Sequence, residues 1–465
     1  MNKNKKIHFQ VSERKVLLKV FDVVFVLGAL YLVGHFLDLK YLKDSIKYNY
    51  YLILIAIYVT SLGTVFEMYN LQVASNQYQV LKSAILTASS TLIFYLFTPV
   101  LSAELPKNRL QIIVFYLTIL FALILWRIFY VKFLASNRFV QNVLLVCNGN
   151  ELEELVTDLE NSDPHYRVIA YVNYDGDIND AAPQYQSLQH VLIDDLVSFV
   201  NKNKLFEIII ASQNNEDVTP DLYVQLLHLL ESGMTIREYM QVYEDKTQRI
   251  PVHHITRDFY KFFLFNRSNN NQFYLLHVRI METIFSIIGI AFGLLLIPFI
   301  VVGNALGNRG KLFYTQERVG KNGKIFQILK FRSMIKNAEK DGAVFSISSD
   351  TRVTPFGKFL RKARIDEIPQ FVNILKGEMS VIGPRPERPF FVEEIAEIMP
   401  FYETRHVIKP GLTGWAQVNY SYGESIEDSL IKLQYDLYYI KHRSIFLDLN
   451  ITIKTFSTIL FYRGQ

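Results

Sequence analysis

The sequence predicts three parts in tandem: a membrane α-helical bundle over residues 1–138, a Rossmann-like α/β domain over 139–265, and a small α/β domain over 278–465 bearing a membrane-inserting helix, joined by a linker at 266–277. Three observations predict it. Four apolar runs, each near the ~20 residues that cross a bilayer, fill the first part. Strand-like runs then alternate with helical ones between Phe139 and Phe265. A fifth apolar run, Thr283 to Val302, precedes a stretch of cationic and Gly-Pro motifs. Half of the 465 residues are hydrophobic, with 35 Phe and 28 Tyr, so a membrane is expected. The net charge of +5 could suit nucleic acid, but the cations are scattered and no nucleic-acid motif is present; anionic lipid and phosphate are the better partners. The one cysteine, Cys147, excludes an intramolecular disulfide and suits a cytoplasmic working face.

The chain opens with Lys3, Lys5, Lys6, Arg14 and Lys15 before an apolar run from Val16 to about Leu37, too long for a signal peptide and without a small-residue cleavage site. It reads as a first membrane helix with its basic end in the cytoplasm. Lys19 and Asp22 lie three apart inside it, an expected ion pair facing other helices. Further spans are expected at about Tyr50 to Met68, Leu81 to Leu101 and Leu110 to Leu134, with Arg127, Lys132 and Arg138 marking a cytoplasmic exit.

In the middle part, strands are expected at Val143 to Cys147, Val168 to Tyr171 and Ile208 to Ala211, and helices at Glu151 to Glu160, Val191 to Asn201 and Tyr223 to Ser232. The first turn, Cys147-Asn148-Gly149-Asn150, holds one glycine where a dinucleotide fingerprint needs three, so close approach to a pyrophosphate is not expected. After the polar linker, Arg279-Ile280-Met281-Glu282 leads into the run Thr283 to Val302, interrupted by Pro298. The expectation is a helix that enters the membrane, breaks at Pro298 and returns, spanning about 279–304. Gln316 to Gly320 reads as a turn into a strand over Lys324 to Ile328, continued by Lys330 and Arg332 on one side. Phe356, Phe359 and Leu360 share one face of an amphipathic helix, with Lys358, Arg361 and Lys362 opposite.

The chemistry is placed at Arg361-Lys362-Ala363-Arg364-Ile365-Asp366-Glu367-Ile368-Pro369-Gln370. Asp366 is a good N-cap for a helix over about Glu367 to Lys376, with Gly377 past its end. Backbone N–H groups there would keep Asp366 ionised, and Arg361 and Arg364 add field for an anionic substrate. An ionised carboxylate beside phosphate can be a nucleophile or a metal ligand, although Asp366 could also serve as a cap alone. In Gly383-Pro384-Arg385-Pro386 a rigid loop lets Arg385 clamp a phosphate, the alternative being a local pair with Glu387. Trp415 is expected to pack, and Ile445 to Tyr462 to lie against the membrane.

Lys330-Phe331-Arg332-Ser333-Met334, Asp366-Glu367-x-Pro369-Gln370, Gly383-Pro384-Arg385-Pro386 and Lys409-Pro410-Gly411-Leu412-Thr413-Gly414-Trp415-Ala416-Gln417-Val418-Asn419 together resemble the bacterial sugar transferases, the polyprenyl-phosphate hexose-1-phosphate transferases, from about Val278 onward. The resemblance implies that Asp366 attacks the β-phosphate of a UDP-hexose, UMP leaves, and undecaprenyl phosphate takes the phosphosugar from the enzyme. It implies Glu367 as a ligand of a Mg²⁺ cofactor. Lys330, Arg361 and Arg385 fall at positions the family uses around the phosphates; Arg332, Arg364 and Gln370 complete the expected substrate-binding set. It implies a monotopic catalytic domain with a re-entrant helix, facing the cytoplasm from a bacterial inner membrane. The middle part resembles the family's nucleotide-binding-like accessory domain; its single glycine favours a regulatory or homo-oligomerising role over cofactor binding, and, with the motif set complete after Val278, a chain starting near Asn271 is expected to keep the chemistry. The chain departs from the pattern at Glu282 (often Asp), at Ile297 (often Ser) and after Val418, where Asn-Tyr-Ser-Tyr-Gly replaces a common Asn-Gly-Arg. A nucleotide-sugar oxidoreductase would want a full glycine loop and a Tyr-x-x-x-Lys pair in the middle part, and a non-catalytic scaffold would leave the Asp-Glu dyad unexplained.

Overall fold

The computed structural model describes residues 11–66, 68–69, 77–99, 101–130, 140–163, 166–174, 188–203, 205–212, 218–252, 271–308, 310–335, 352–420 and 425–460. Its contacts divide the chain into two compact units, Met1–Tyr239 and Met240–Gln465.

In the first unit, α1 (Val11–Phe36), a short α2 (Lys40–Ser45), α3 (Asn49–Val65), α4 (Gln77–Leu96) and α5 (Leu110–Phe129) form the membrane bundle. α1 packs on α5 and α3 on α4, burying Leu30, Ile55, Phe115 and Leu123 while leaving Val24, Ile57 and Phe121 on the outside, as a lipid-facing bundle requires. Lys15–Phe36 and Leu110–Phe129 are long and apolar enough to cross a membrane. The second and third expected spans are shorter: their apolar helical parts, Asn49–Val65 and Val80–Leu96, stop where the chain turns at Phe66 and Phe97. Asp22 does not pair with Lys19. Instead it meets Arg127 of α5 at 2.7 Å, both side chains buried, because α5 brings a cation to the inner face of α1.

The same unit holds a five-stranded parallel sheet in the order β3-β2-β1-β4-β5, with β1 (Gln141–Cys147), β2 (Tyr166–Asn173), β3 (Gln189–His190), β4 (Glu207–Ile210) and β5 (Thr235–Glu238). The connecting helices α6 (Leu152–Ser162), α7 (Leu196–Asn203) and α8 (Pro220–Glu231) cover it. Leu144, Val146, Ala170, Val172 and Ile208 meet Leu196, Leu222 and Leu229 in one core. The expected strands and helices fall within a few residues of these elements; β3 and β5 are too short and too polar to stand out in the sequence. At the first turn Asn148 accepts from Asn150 N, and a Cβ on Gly149 would meet only Asn173 Nδ2 at 3.6 Å, so nothing there demands glycine.

The second unit starts with α9 (Tyr239–Thr247), whose first residue closes the first unit. Residues 240–252, inside the expected 139–265 domain, pack with elements nearer the C-terminus. Glu244 pairs with Lys441 (2.7 Å), Ile250 N donates to Gln434 O (3.1 Å), and Trp415 Nε1 donates to Gln248 O (3.1 Å). Most of the expected linker lies outside the described residues.

α10 runs from Gln272 to Gly303, capped by Asn271, with Pro298 inside it. The expected break is not at Pro298: α geometry gives way only at a π turn, Asn304–Asn308. Two glycines show how closely the rest of the unit lies against this helix. A Cβ on Gly289 would stand 2.3 Å from the Phe371 ring, and one on Gly303 2.2 Å from Phe356. β6 (Phe313–Val319) and β7 (Ile325–Phe331) form an antiparallel hairpin turning at Lys321–Gly323, so Gln316 to Val319 is strand where a turn was expected. The remaining elements are α11 (Pro355–Lys362), α12 (Gln370–Lys376), β8 (Ser380–Ile382), α13 (Pro389–Ile398), β9 (Gly411–Thr413, parallel to β8), α14 (Trp415–Asn419), α15 (Ile426–His442) and α16 (Ile445–Leu460). On α11, Leu360 is buried, and the exposed Phe359 meets Phe356 and Phe299.

Candidate active site

The dyad does not cap a helix. Arg364 adopts a left-handed conformation (φ 56°), Ile365–Glu367 form one 3₁₀ turn, and α12 begins only at Gln370 with Pro369 at its N-cap and no side-chain cap. The left-handed Arg364 folds the chain back and brings its own guanidinium to Glu367 (Nη1 to Oε2, 3.2 Å). Gly377, with φ 86°, ends α12 as expected.

Glu367 is the centre of charge. Its Oε1 lies 3.2 Å from Arg385 Nη2 and 3.6 Å from Lys330 Nζ, so three cations from three motifs converge on one carboxylate. Burial alone would push the Glu367 carboxyl up, but Arg385, Lys330 and Arg364 outweigh it and hold it well below the usual range. Asp366 is the opposite case. Burial and then the neighbouring Glu367 charge push its carboxyl up, against Lys330, Arg361 and Arg364, and no helix terminus lies at Asp366 to lower it. The two carboxylates are 6% and 7% exposed, and Asp366 Oδ1 is buried without a hydrogen-bond partner. Lys330 is held below the ordinary lysine range by burial, with Arg385 adding and Glu367 opposing.

Each cation is placed by a specific tie. Asn373 of α12 accepts from Leu329 N (3.0 Å) and donates to Gln327 O (2.8 Å), fixing β7 beside α12 so that Lys330 reaches the dyad. Arg279 of α10 donates to Ile374 O (3.1 Å) and Leu375 O (2.9 Å), closing the carbonyl end of α12, and pairs with the buried Glu282 at 3.5 Å. The Arg385 loop is locked from below. Gly411 N donates to Pro384 O (2.8 Å), and Gly383 N to Thr413 O (2.9 Å). A Cβ on Gly411 would sit 2.1 Å from Gly383 N, which is why the two motifs carry glycine there. Arg385 thus meets Glu367 rather than Glu387, which pairs with Arg318 at 3.5 Å.

Of the remaining expected residues, Arg361 lies beside the dyad, its Nε donating to Ser333 Oγ (3.0 Å). Gln370 is buried, with Nε2 unpartnered. Arg332 is not brought in: its Nε donates to Lys311 O (2.8 Å) and its guanidinium lies over Tyr314, because β7 ends at Phe331 and the chain swings towards the foot of α10. Three residues went unnoticed in the sequence. Arg405, fully buried, bridges Asp436 Oδ2 (2.7 Å) and Arg385 O (3.1 Å), and Arg318 donates to Pro386 O (3.0 Å). Nothing in the sequence links Arg405 to Asp436, 31 residues apart on different elements.

For a hard cation, two adjacent carboxylates with one unpartnered buried oxygen are a fitting start, since Mg²⁺ takes one or two carboxylates and leaves its other positions to water and phosphate. Among the described residues no group of three His, Cys, Asp or Glu forms an all-protein cage.

Residues 273–462 match the family model for bacterial sugar transferase. The chain is 37% identical over 255 residues to the UDP-N-acetylgalactosamine-undecaprenyl-phosphate N-acetylgalactosaminephosphotransferase of Aeromonas hydrophila, a match covering 55% of this chain and 59% of that protein. It is 40% identical over 164 residues to the UDP-glucose:undecaprenyl-phosphate glucose-1-phosphate transferase of Xanthomonas campestris pv. campestris, covering 35% and 34%. It is 47% identical over 141 residues to a Bacillus subtilis (strain 168) protein provisionally named as an undecaprenyl-phosphate N-acetylgalactosaminyl 1-phosphate transferase, covering 30% of this chain and 79% of the relative. With four-fifths of a relative matched at that identity, and the family model covering the segment that builds the dyad and its cations, the chain belongs to the bacterial sugar transferase family.

Proposed function

We propose that the second unit transfers a hexose 1-phosphate from a UDP-sugar to undecaprenyl phosphate, the first membrane step of a polysaccharide repeat. The observation that carries this reading is Asp366 Oδ1, buried and unpartnered beside a carboxylate that three cations hold ionised. An Asp366 oxygen attacks the β-phosphorus, the bond from that phosphorus to the α–β bridging oxygen breaks, and UMP leaves with the electron pair. An oxygen of the lipid phosphate then attacks the same phosphorus and frees Asp366. A carboxylate whose proton affinity is raised is the stronger nucleophile, and Lys330, Arg361, Arg364 and Arg385 offset the charge that develops. A Mg²⁺ ion held by Glu367 would supply further charge neutralisation at the phosphates.

α10 is read as a re-entrant anchor, with the second unit facing the cytoplasm of the inner membrane. Supporting this, α12 and α11 lie along it from Arg279 to Gly303, so a crossing would carry Lys358, Arg361 and Lys362 into hydrocarbon. The parallel-sheet domain is read as a Rossmann-like accessory part with a regulatory or oligomerising role. The test is to give purified full-length protein UDP-glucose, UDP-galactose or UDP-N-acetylgalactosamine without acceptor. One sugar should release about one UMP per enzyme and leave an adduct on the Asp366 peptide. No adduct with any of them sinks the proposal.

A further inference from the structure

Residues 240–252 lie ahead of the 273–462 segment that the family model matches, and the chemistry above gives them no task. Their contacts lead to Arg385 by two routes. On the first, Gln248 O accepts the indole N–H of Trp415 at 3.1 Å. Trp415 is buried and opens α14 directly after β9 and Gly414. β9 carries the bonds that fix the Arg385 loop, with Gly411 N donating to Pro384 O (2.8 Å) and Thr413 O accepting from Gly383 N (2.9 Å). A Cβ on Gly414 would stand 2.2 Å from Gly383 O, so the residue that joins β9 to Trp415 also lies against that loop. On the second route, Gln434 of α15 accepts from Ile250 N at its main-chain oxygen (3.1 Å) and from the Tyr243 hydroxyl at Oε1 (3.3 Å). Two residues along the same helix, Asp436 holds Arg405, which donates to Arg385 O. Both routes end on the main chain of the Gly383-Pro384-Arg385 loop.

The segment is itself held firmly enough to act as a fixed point. Gln248 has a φ of 57°, a left-handed conformation that residues with side chains rarely adopt, and its own N–H closes the turn on Glu244 O (2.9 Å). Such a conformation persists only where the surroundings enforce it. Here they do so on both sides of Gln248. Glu244 lies 2.7 Å from Lys441 Nζ and 2.5 Å from His442 Nε2, and the Arg249 guanidinium lies over the Tyr243 and Tyr435 rings at 5.4 and 5.6 Å. The left-handed turn presents the Gln248 carbonyl to Trp415, and that bond sets where α14 and β9 begin and end. Misplacing a substrate clamp by ~1 Å can cost about 10²-fold in rate, so a small freedom in β9 is enough to matter.

We propose that Trp415 and Gln434 are positioning residues for Arg385 and that residues 240–252 are the strap that holds them, so that undocking the strap loosens the Arg385 loop without removing any group that meets substrate. This rests on the reading of Arg385 as a phosphate clamp given above. The test uses full-length protein and two variants. Trp415→Phe keeps an aromatic ring and removes the N–H; Glu244→Lys turns the pair with Lys441 into a repulsion and leaves the core filled. Amide hydrogen exchange is read first, on peptides containing Gly383 and Gly411. Each variant should speed exchange there about three- to tenfold, the scale of one net hydrogen bond, while the β6–β7 hairpin keeps its wild-type rates. The kcat for UMP release should fall by at least that factor with KM little changed. In an Arg385→Gln background neither variant should lower kcat further, because the side chain they position is gone. A merely structural role lowers kcat by the same factor in both backgrounds. Wild-type exchange at Gly383 and Gly411 in both variants, or equal factors in the two backgrounds, overturns the proposal. Exchange needs no substrate, so a wild type that releases no UMP counts against the function proposed above while the exchange result still decides the strap. Should Trp415→Phe fail to fold, Glu244→Lys, at a partly exposed pair, decides alone.

Discussion

Arg405 Nη2 donates to the main-chain carbonyl of Arg385 at 3.1 Å while the same nitrogen meets Asp436 at 2.7 Å, so a buried ion pair on the far side of the loop sets where the Arg385 side chain starts. Arg405→Lys keeps a charge but cannot span both acceptors. We expect kcat to fall more than KM rises, with a stability loss below the ~3–5 kcal/mol of removing a buried partner outright, since the lysine can still pair with Asp436. Wild-type kcat in a folded Arg405→Lys protein would remove its positioning role.

Arg385 itself should matter through geometry as well as charge. Arg385→Gln is expected to lower kcat/KM by about 10²–10³-fold, the scale of losing one preorganised transition-state donor, and Arg385→Lys by less. Initial rates of UMP release decide it, and equal rates for all three proteins would place the phosphates elsewhere.

The pH dependence has a definite sign. Only ionised Asp366 can attack, and burial with the Glu367 charge raises its pKa, so the acid limb of kcat/KM should lie above the ordinary aspartate value of about 3.9. Glu367→Gln removes the second of those causes and leaves the cations to act on Asp366 alone. The limb should then move to lower pH even as activity and Mg²⁺ dependence weaken. A limb that moves up, or stays, contradicts the assignment.

Asp366→Asn should abolish the adduct and reduce turnover by about 10³-fold or more. Stability should follow the opposite course. A carboxyl whose folded pKa exceeds its unfolded one favours the fold least above both values, so the Asn variant should melt at the same or higher temperature at pH 8. The difference should vanish below the unfolded pKa. A large fall in melting temperature would mean that the lost activity reports unfolding.

Truncation separates the units. A chain beginning at Met240 should keep UMP release, whereas one beginning at Asn271 loses the partners of Lys441, Gln434 and Trp415 and should be unstable or inactive. Full activity in a stable Asn271 chain would show that residues 240–252 are dispensable, as the motif positions alone suggest.

The sequence by itself determined the apolar helices, the alternation of the middle sheet, and that Asp366, Glu367, Lys330 and Arg385 belong together. Periodicity and composition report which residues face an apolar surround, and dense motifs report shared chemistry. The tertiary structure decided what no local pattern encodes. Glu367 became the well-ionised member of the dyad and Asp366 the one with raised proton affinity because burial is common to both while the cations converge on Glu367. Arg332 turned away where β7 ends, and Asp22 found Arg127 on another helix instead of Lys19 on its own. Arg405, Asp436 and the 240–252 segment act across elements distant in the chain. Charge energetics depend on distance and burial in three dimensions, and neither can be read along one.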